Sequence, residues 1–204
     1  MTWLLRPKNW AWAIELPEPI VLLDACVLYP APLRDLMMHL AVAEIFGARW
    51  TEAIHDEWTR NVLKNRPDLH PEQLRRTREL MNAHVLDSVV RGYENLIDTI
   101  VLPDANDRHV VAAAIKSDAQ FILTFNTKDF PESILSPYGI KAISPDIFLV
   151  ECMEKYAGNI IRAAKRHRGS LKNPPKSAKD YLITLESNGL AQFVDHLRKN
   201  EDQI

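Results

Sequence analysis

The sequence predicts an α/β protein in which a central parallel sheet is covered by helices on both faces. Three short apolar segments, residues 20–23, 121–125 and 139–143, lack helical periodicity and are typical of buried strands. Longer segments between them carry apolar residues at spacings of three and four, which indicates helices. Strands that alternate with helices favour a parallel sheet, because each helix returns the chain to the same edge.

In the first half of the chain, helical spacing predicts three helices. The first covers residues 33–46 and is closed by Gly47, since glycine is favoured just after a helix. The second follows a further candidate strand at residues 49–51 and presents an apolar face over residues 54–63. Pro71 opens the third helix, because proline fits the first helical turn.

The pattern is unclear over residues 85–99 and resumes beyond them. A strongly apolar helix is predicted over residues 106–116. A long helix begins at Pro145 or Asp146 and continues until the prolines at 174–175 interrupt the helical pattern.

A small helical appendage is predicted at the end of the chain. Ser177 resembles a helix cap, and apolar residues at helical spacing follow it. We therefore divide the chain into an N-terminal extension (1–19), an α/β domain (20–150) and a C-terminal helical extension (151–204). The extension at the start would be an alternative start or a docking segment.

Composition narrows the class of protein. With 204 residues, 47% of them hydrophobic and 25% charged, the chain suits a globular protein with one main domain. No apolar stretch approaches the roughly 20 residues of a membrane span, and no signal peptide is evident, so we expect a cytoplasmic protein without a membrane segment. Cys26 and Cys152 are too few for a disulfide framework or a thiolate zinc site. His109 and His167 lack ligand spacing and are expected to be structural or surface groups.

Five acidic residues fall where an open parallel sheet binds ligands, beyond the carboxyl ends of its strands. Asp24 ends the first strand, and Asp129 follows the strand at 121–125. Asp104 and Asp107 lie in the loop and first turn before the next predicted helix. Glu57 lies in the opening turns of a helix that follows a candidate strand.

Ordinary structural roles remain open for most of these acids. The two before the helix could cap it, Asp129 could belong to a turn, and Glu57 could be a solvated surface charge. Glu52 and Asp56 are less favoured alternatives to Glu57. Asp24 differs, because a carboxylate directly after four buried aliphatic residues is costly to bury without a partner.

Clustered carboxylates predict a divalent cation. Like charges raise one another's pKa values, and a bound cation removes that cost. Oxygen ligands without His or Cys favour Mg²⁺ or Mn²⁺. Such ions can hold a phosphodiester, activate water and neutralise the leaving oxygen. The acidic residues therefore predict hydrolysis of a nucleic-acid backbone.

Four segments then carry a family resemblance. They are LDACVLYP at 23–30, DEWTRN at 56–61, PDANDRHVVAAA at 103–114 and TFNTKDFP at 124–131. In this order they resemble a PIN domain, and within it the branch that contains the VapC-type toxins of bacterial toxin–antitoxin pairs. The resemblance covers about residues 19–150. It implies an α/β/α sandwich that binds one or two Mg²⁺ or Mn²⁺ ions and cuts RNA.

The resemblance also implies roles for single residues. By position, Asp24, Glu57, Asp107 and Asp129 match the four catalytic acids of the family. Asp24, Asp107 and Asp129 would then be metal ligands, with Asp104 as an extra carboxylate that competes with or supplements Asp107.

Supporting residues and partners follow from the same resemblance. Thr124 and Asn126 fall where the family often has a polar residue that supports the metal site or orients water. The expected partners are the RNA substrate and a small antitoxin protein. Exposed apolar residues on the C-terminal appendage would suit either the antitoxin or a second copy of the chain.

A basic stripe lies in the C-terminal extension. Residues 162–179 contain seven Lys or Arg and no acidic residue, although the net charge of the chain is −2. We expect the stripe to contact RNA phosphates, and an ordinary solvated helix face is the alternative. The residues expected to bind RNA are Arg162, Lys165, Arg166, Arg168 and Lys172.

Two other functions were weighed. A haloacid-dehalogenase-like phosphatase also begins with an Asp at a strand end, but it needs a second Asp two residues later, where this chain has Cys26. A PIN-like module that binds RNA or a partner without cutting would be expected to have lost part of the acid set. All four matched positions carry acids.

Overall fold

A computed structural model describes residues 18–204 of the chain. The predicted N-terminal extension, residues 1–19, lies outside the described residues except for its last two.

Four parallel strands form the central sheet of the described residues, in the order β2-β1-β3-β4. The strands are β1 Ile20–Leu23, β2 Gly47–Arg49, β3 Phe121–Leu123 and β4 Lys141–Ile143. Strand β1 is central, and its Val21 pairs with Ala48 on one side and Phe121 on the other. The predicted parallel sheet is confirmed. Since the strands run in one direction, their carboxyl ends meet at one edge.

Helices connect and cover these strands, which gives the predicted α/β/α sandwich. They are α1 Ala25–Leu28, α2 Ala31–Val42, α3 Glu52–Asn65, α4 Pro71–His84, α5 Glu94–Ile97, α6 Arg108–Lys116, α7 Glu132–Leu135, α8 Pro145–Ser170, α9 Ala178–Ser187 and α10 Ala191–Arg198.

The helix predicted over residues 33–46 is shorter at its end than expected. Helix α2 stops at Val42, and Glu44 then adopts a left-handed conformation with φ 59°. The prediction that Gly47 closes the helix is wrong, because Gly47 begins β2 and its amide donates to the carbonyl of Pro19. The chain turns earlier because Glu44 adopts the conformation that glycine usually supplies.

Two other predicted elements are shorter than expected. The helix predicted from residue 106 begins with a 3₁₀ turn, Ala105–Asp107, and becomes α-helical only at Arg108. The strand predicted over 121–125 ends at Leu123. Both differences lie at the carboxyl edge of the sheet, where the chain leaves regular structure and places polar side chains.

The C-terminal helices share the core of the sheet. Buried side chains from β1, α3, α9 and α10 belong to one hydrophobic cluster, including Leu22, Trp58, Leu185 and Phe193, each 0% exposed. Helix α10 packs on α8, and α9 packs on α2. The domain division at residue 150 falls inside α8 and stays a prediction.

Two sequence predictions about this region are confirmed. Helix α8 begins at Pro145, and the Ser144 hydroxyl caps it by accepting from the amide of Ile147. The Ser177 side chain caps α9 by accepting from the amide of Asp180. Across the described range, no helix is both long and apolar enough to cross a membrane.

Candidate active site

The carboxyl ends of β1 and β3 place Asp24 beside Thr124. Asp24 directly follows β1, Thr124 directly follows β3, and the Asp24 amide donates to the carbonyl of Leu123 at 3.1 Å. Both side chains are buried, with Asp24 7% and Thr124 0% exposed. Parallel pairing of the two strands therefore brings together two predicted site residues that lie far apart in sequence.

Three donors hold the Asp24 carboxylate in one orientation. The Thr124 hydroxyl donates to Oδ2 at 2.8 Å, and the Cys26 thiol donates to the same oxygen at 3.1 Å. Oδ1 accepts from the amide of Ala25 at 2.6 Å. Hydrogen bonds to the ionised form offset the cost of burying it, so Asp24 has the partners that its position requires.

Cys26 belongs to this network, although sequence reasoning gave it no role. Its sulfur also accepts from the amide of Phe125 at 3.3 Å. Burial, and then the Asp24 charge, raise the pKa of the Cys26 thiol to about 12. It therefore remains a protonated donor to the carboxylate. The only sequence signal for this contact is the position of Cys26 two residues after Asp24.

Asp107 carries the strongest sign of clustered negative charge. Its pKa is raised to about 6, first by burial and then by the charges of four other carboxylates, which in decreasing order of effect are Asp24, Asp104, Asp129 and Glu57. Asp24, Glu57 and Asp129 lie in separate segments of the sequence, and Asp104 lies three residues before Asp107. The fold thus brings the other four predicted acids within electrostatic range of Asp107.

The side chains of Asp104 and Asp107 differ in their hydrogen bonds. Asp104 caps the 3₁₀ turn, since its Oδ1 accepts from the amide of Asn106 at 2.8 Å. Asp107 precedes α6 and makes no capping bond with its side chain. The capping role that was open for both residues is thus observed for Asp104 and not for Asp107.

Glu57 lies on α3 and faces the same cluster. Burial raises its pKa, followed by the charges of Asp24 and Asp104, while Arg60 lowers it. Its Oε2 is 4.0 Å from Nε2 of His109. His109, which was expected to be a structural or surface residue, borders Glu57 from the first turn of α6.

Glu52 and Asp56, the alternatives to Glu57, pair with a basic residue outside the acid cluster. Glu52 and Asp56 both form ion pairs with Arg78 of α4, at 2.6 and 2.7 Å. These pairs tie α3 to α4 at an exposed surface, whereas Glu57 on the same helix feels the charge of Asp24. Helical spacing alone could not make this distinction, because it depends on where α4 packs.

Asp129 and Asn126 belong to the loop after β3. Asp129 ends a 3₁₀ turn, Thr127–Asp129, and the following Phe130 is 2% exposed and anchors the loop in the core. The Asn126 amide donates to the Thr124 hydroxyl at 3.0 Å. Thr124 is thereby held from two sides, and the support that Asn126 gives comes from its backbone.

The residue types at this edge suit a hard divalent cation. The five acids provide only oxygen donors, and Arg60 is the basic residue that opposes them at Glu57. Within residues 18–204, however, no three His, Cys, Asp or Glu side chains are placed to hold one ion as they stand. The donor chemistry therefore fits a cation, while the side-chain positions do not form a closed ligand set.

The predicted RNA-binding residues divide into two groups. Arg162, Lys165, Arg166 and Lys172 are exposed. Arg168 is half-buried and donates to the carbonyls of Lys176 and Ile204, both at 3.0 Å. Its guanidinium thus ties the end of α8 to the end of the chain. The RNA-binding prediction consequently depends on the other four residues.

Two family profiles match separate parts of the chain. The PIN domain profile matches residues 20–128, which is more than half of the chain. The chain therefore belongs to the PIN domain family. The profile of the VapC50 C-terminal domain matches residues 145–199, which span α8 to α10.

One curated relative also has VapC50 in its name. A protein of Mycobacterium tuberculosis (strain ATCC 25618 / H37Rv), named "Putative ribonuclease VapC50", is 45% identical to this chain over 65 residues. The matched segment is 32% of this chain and 38% of the relative, so the match covers less than half of either protein. No solved structure matches the chain significantly.

Proposed function

We propose that this protein is a divalent-cation-dependent endoribonuclease that hydrolyses RNA phosphodiester bonds. One observation carries the proposal: at the carboxyl edge of the sheet, burial and the charges of four other carboxylates together raise the pKa of Asp107 to about 6. Such a cluster is unfavourable by itself and becomes favourable when a cation is bound. The PIN domain match and the name of the M. tuberculosis relative support a nuclease.

Asp24, Asp107 and Asp129 are the proposed ligands of Mg²⁺ or Mn²⁺, with Asp104 beside them and Glu57 as the fourth catalytic acid. A bound cation of this kind would neutralise phosphate charge and make water a better nucleophile. The residues of the chain contribute orientation. Thr124 fixes Asp24, the Asn126 amide fixes Thr124, and the stripe residues Arg162, Lys165, Arg166 and Lys172 would attract the RNA backbone.

The proposed biological role is that of a toxin, held inactive by a small antitoxin, acting on RNA in the cytoplasm. The match of residues 145–199 to the VapC50 C-terminal domain and the name of the M. tuberculosis relative support this role. A second copy of the chain is a further candidate partner.

An RNA cleavage assay tests the enzyme. Purified protein is incubated with single-stranded RNA and Mg²⁺, with Mn²⁺ or with EDTA, beside Asp24→Asn and the control Asp195→Asn. Asp195 is an exposed acid on α10 that pairs with Arg198. We expect ion-dependent cleavage by the parent and by Asp195→Asn, and loss of at least 100-fold for Asp24→Asn, as for other single groups that act in the transition state.

The outcomes separate the two candidate functions. RNA binding without cleavage under every ion would favour the non-catalytic PIN-like module. Equal cleavage by Asp24→Asn and the parent would contradict the proposed site. The toxin role is tested by inducible expression in bacteria, where the parent should arrest growth, Asp24→Asn should not, and the product of a neighbouring small gene should restore growth.

A further inference from the structure

Phe125 is an exposed aromatic residue fixed at the acid cluster. Its side chain is 41% exposed. It directly follows Thr124, whose hydroxyl holds Asp24, and its own amide donates to the Cys26 sulfur, which also contacts Asp24. The backbone of Phe125 is therefore tied to the two residues that orient the first proposed ligand. A single exposed apolar side chain is common, so a role for Phe125 has to be argued from the residues around it.

The Cε1 and Cζ atoms of the Phe125 ring lie close to Gly189, which belongs to the turn between α9 and α10. A β-carbon built on Gly189 would lie 2.9 Å from Cε1 and 3.3 Å from Cζ of Phe125. Gly189 also has φ +85°, which favours glycine. The glycine thus allows the backbone of the C-terminal extension to approach the ring more closely than any other residue would.

The turn that supports the ring is itself fixed to the sheet edge. Asp146, just after β4, accepts from the amides of Phe193 at 2.8 Å and Gln192 at 3.1 Å. Leu190 and Phe193 are 0% exposed. Gly189 is itself exposed, but the residues that follow it anchor the turn in the core, and the Phe125 side chain stays 41% exposed.

We propose that Phe125 is a stacking platform for an unpaired base of the RNA whose phosphodiester reaches the carboxylates. The inference rests on the proposed ribonuclease function and identifies its substrate as single-stranded at this point. The acid cluster repels phosphates, so an RNA strand gains affinity here from a contact without charge. A rigid, half-exposed aromatic ring supplies such a contact to any base, because every base has a stacking face.

The experiment measures stacking apart from cleavage. A short single-stranded RNA with one 2-aminopurine is titrated with Asp24→Asn protein in Mg²⁺, and both affinity and fluorescence quenching are recorded. Phe125→Leu is compared in the same background with Phe125→Trp. The control is Tyr138→Leu, an aromatic residue that is 48% exposed and lies before β4, at the opposite edge of the sheet.

We expect Phe125→Leu to weaken binding about tenfold and to remove the quenching at one probe position, which is the size of one stacked base. Phe125→Trp should keep both, and Tyr138→Leu should change neither. The loss should be the same at low and high salt, because stacking releases no counterions. The proposal would be overturned if Phe125→Leu bound the RNA and quenched the probe as well as the Asp24→Asn protein with Phe125 intact. It would also be overturned if that Asp24→Asn protein quenched the probe at no position.

A second pair of variants tests the support. Gly189→Ala forces the ring to move, whereas Gly139→Ala has a similar φ of +69° but no atom within 4 Å of the added β-carbon. Both should lower stability, and only Gly189→Ala should weaken RNA binding. Equal binding by the two would overturn the role of the C-terminal turn. Stacking and cleavage are measured separately, so this proposal and the ribonuclease proposal can fail independently. A parent protein that stacks RNA but does not cleave it would contradict only the proposed cleavage.

Discussion

Thr124 donates a hydrogen bond of 2.8 Å to Asp24 from a strand end 100 residues further along the chain. Both residues are buried at the carboxyl edge of the parallel sheet. The bond forms because β1 and β3 are neighbours in the sheet and end at the same level, with Leu23 opposite Leu123. The orientation of the first proposed metal ligand thus depends directly on strand pairing.

Replacing Thr124 by Val should weaken both stability and cleavage. The substitution keeps the shape but leaves one donor fewer on a buried carboxylate, which costs about 1 to 3 kcal/mol of unfolding free energy. Urea unfolding and RNA cleavage measure the two effects. The control is Thr99→Val, because Thr99 donates to the Leu96 carbonyl at an exposed position. Similar losses in the two variants would contradict a specific role for Thr124.

Removing the Asp107 charge should stabilise the protein in the absence of divalent ions. The folded-state pKa of Asp107, about 6, lies above the ordinary value of 3.8, so the folded chain binds more protons between these values. Stability is therefore lost as the pH rises through this window, and the cost persists above pH 6. Asp107→Asn should be more stable than the parent at pH 7.5 with EDTA, and this advantage should vanish near pH 4.

Adding Mg²⁺ should reverse the order at pH 7.5. A cation that binds only the folded state raises its stability, and the parent should gain more than Asp107→Asn. Thermal unfolding with and without the ion measures this. Equal gains in the two proteins would contradict Asp107 as a ligand.

Acid should loosen the contact between α2, α8 and α9. His167 is 1% exposed, and its ring packs against His39 with ring centroids 5.1 Å apart and edge-on against Tyr181 with centroids 5.3 Å apart. Burial and then the charge of His39 lower the pKa of His167 to about 3, while burial and then the charge of Arg166 lower the pKa of His39 to about 4. The unfolded chain binds more protons from the ordinary value of 6.5 downward.

The stability contributed by these neutral imidazoles is complete above pH 6.5 and is lost as the pH falls toward 3. Urea unfolding at pH 7.5 and pH 4.5 should show this loss in the parent. His167→Gln should start from a lower stability and lose less between the two pH values. A variant that loses as much as the parent would assign the acid sensitivity to other groups.

Asp146 should stabilise the C-terminal helices through the start of α10. Its carboxylate accepts two amides there, and removal of such a cap costs about 1 to 2 kcal/mol. Asp146→Ala should lower the unfolding free energy by this amount and increase hydrogen exchange in α10. Asp195→Ala, an exposed acid on the same helix, should change stability by less than about 0.5 kcal/mol. Unchanged exchange in α10 would contradict the capping role.

The basic stripe should separate into RNA contacts and a structural residue. Replacing Lys165, Arg166 and Lys172 together by Gln should lower the slope of log affinity against log salt by about one for each lost phosphate contact. Arg168→Gln should instead lower stability, because Arg168 holds two main-chain carbonyls. An unchanged salt slope in the triple variant would assign the stripe to solvent.

Much of the fold was predictable because it depends on local patterns. Apolar runs predicted β1, β3 and β4, and the predicted helix starts at Pro145 and after Ser177 are confirmed. The end of α2 was not predictable, because a non-glycine residue, Glu44, adopts the left-handed conformation that the rule assigns to Gly47.

The sequence by itself determined that Asp24 ends a buried strand, and that further acids follow the other segments of the sheet. Which acids face one another was decided by the tertiary structure. Packing of α4 pairs Glu52 and Asp56 with Arg78 and leaves Glu57 for the cluster. Cys26 and Phe125 gained their contacts in the same way, since hydrogen bonds and ring contacts between distant segments depend on strand order and helix packing. Neither strand order nor helix packing can be read from the local spacing of apolar residues.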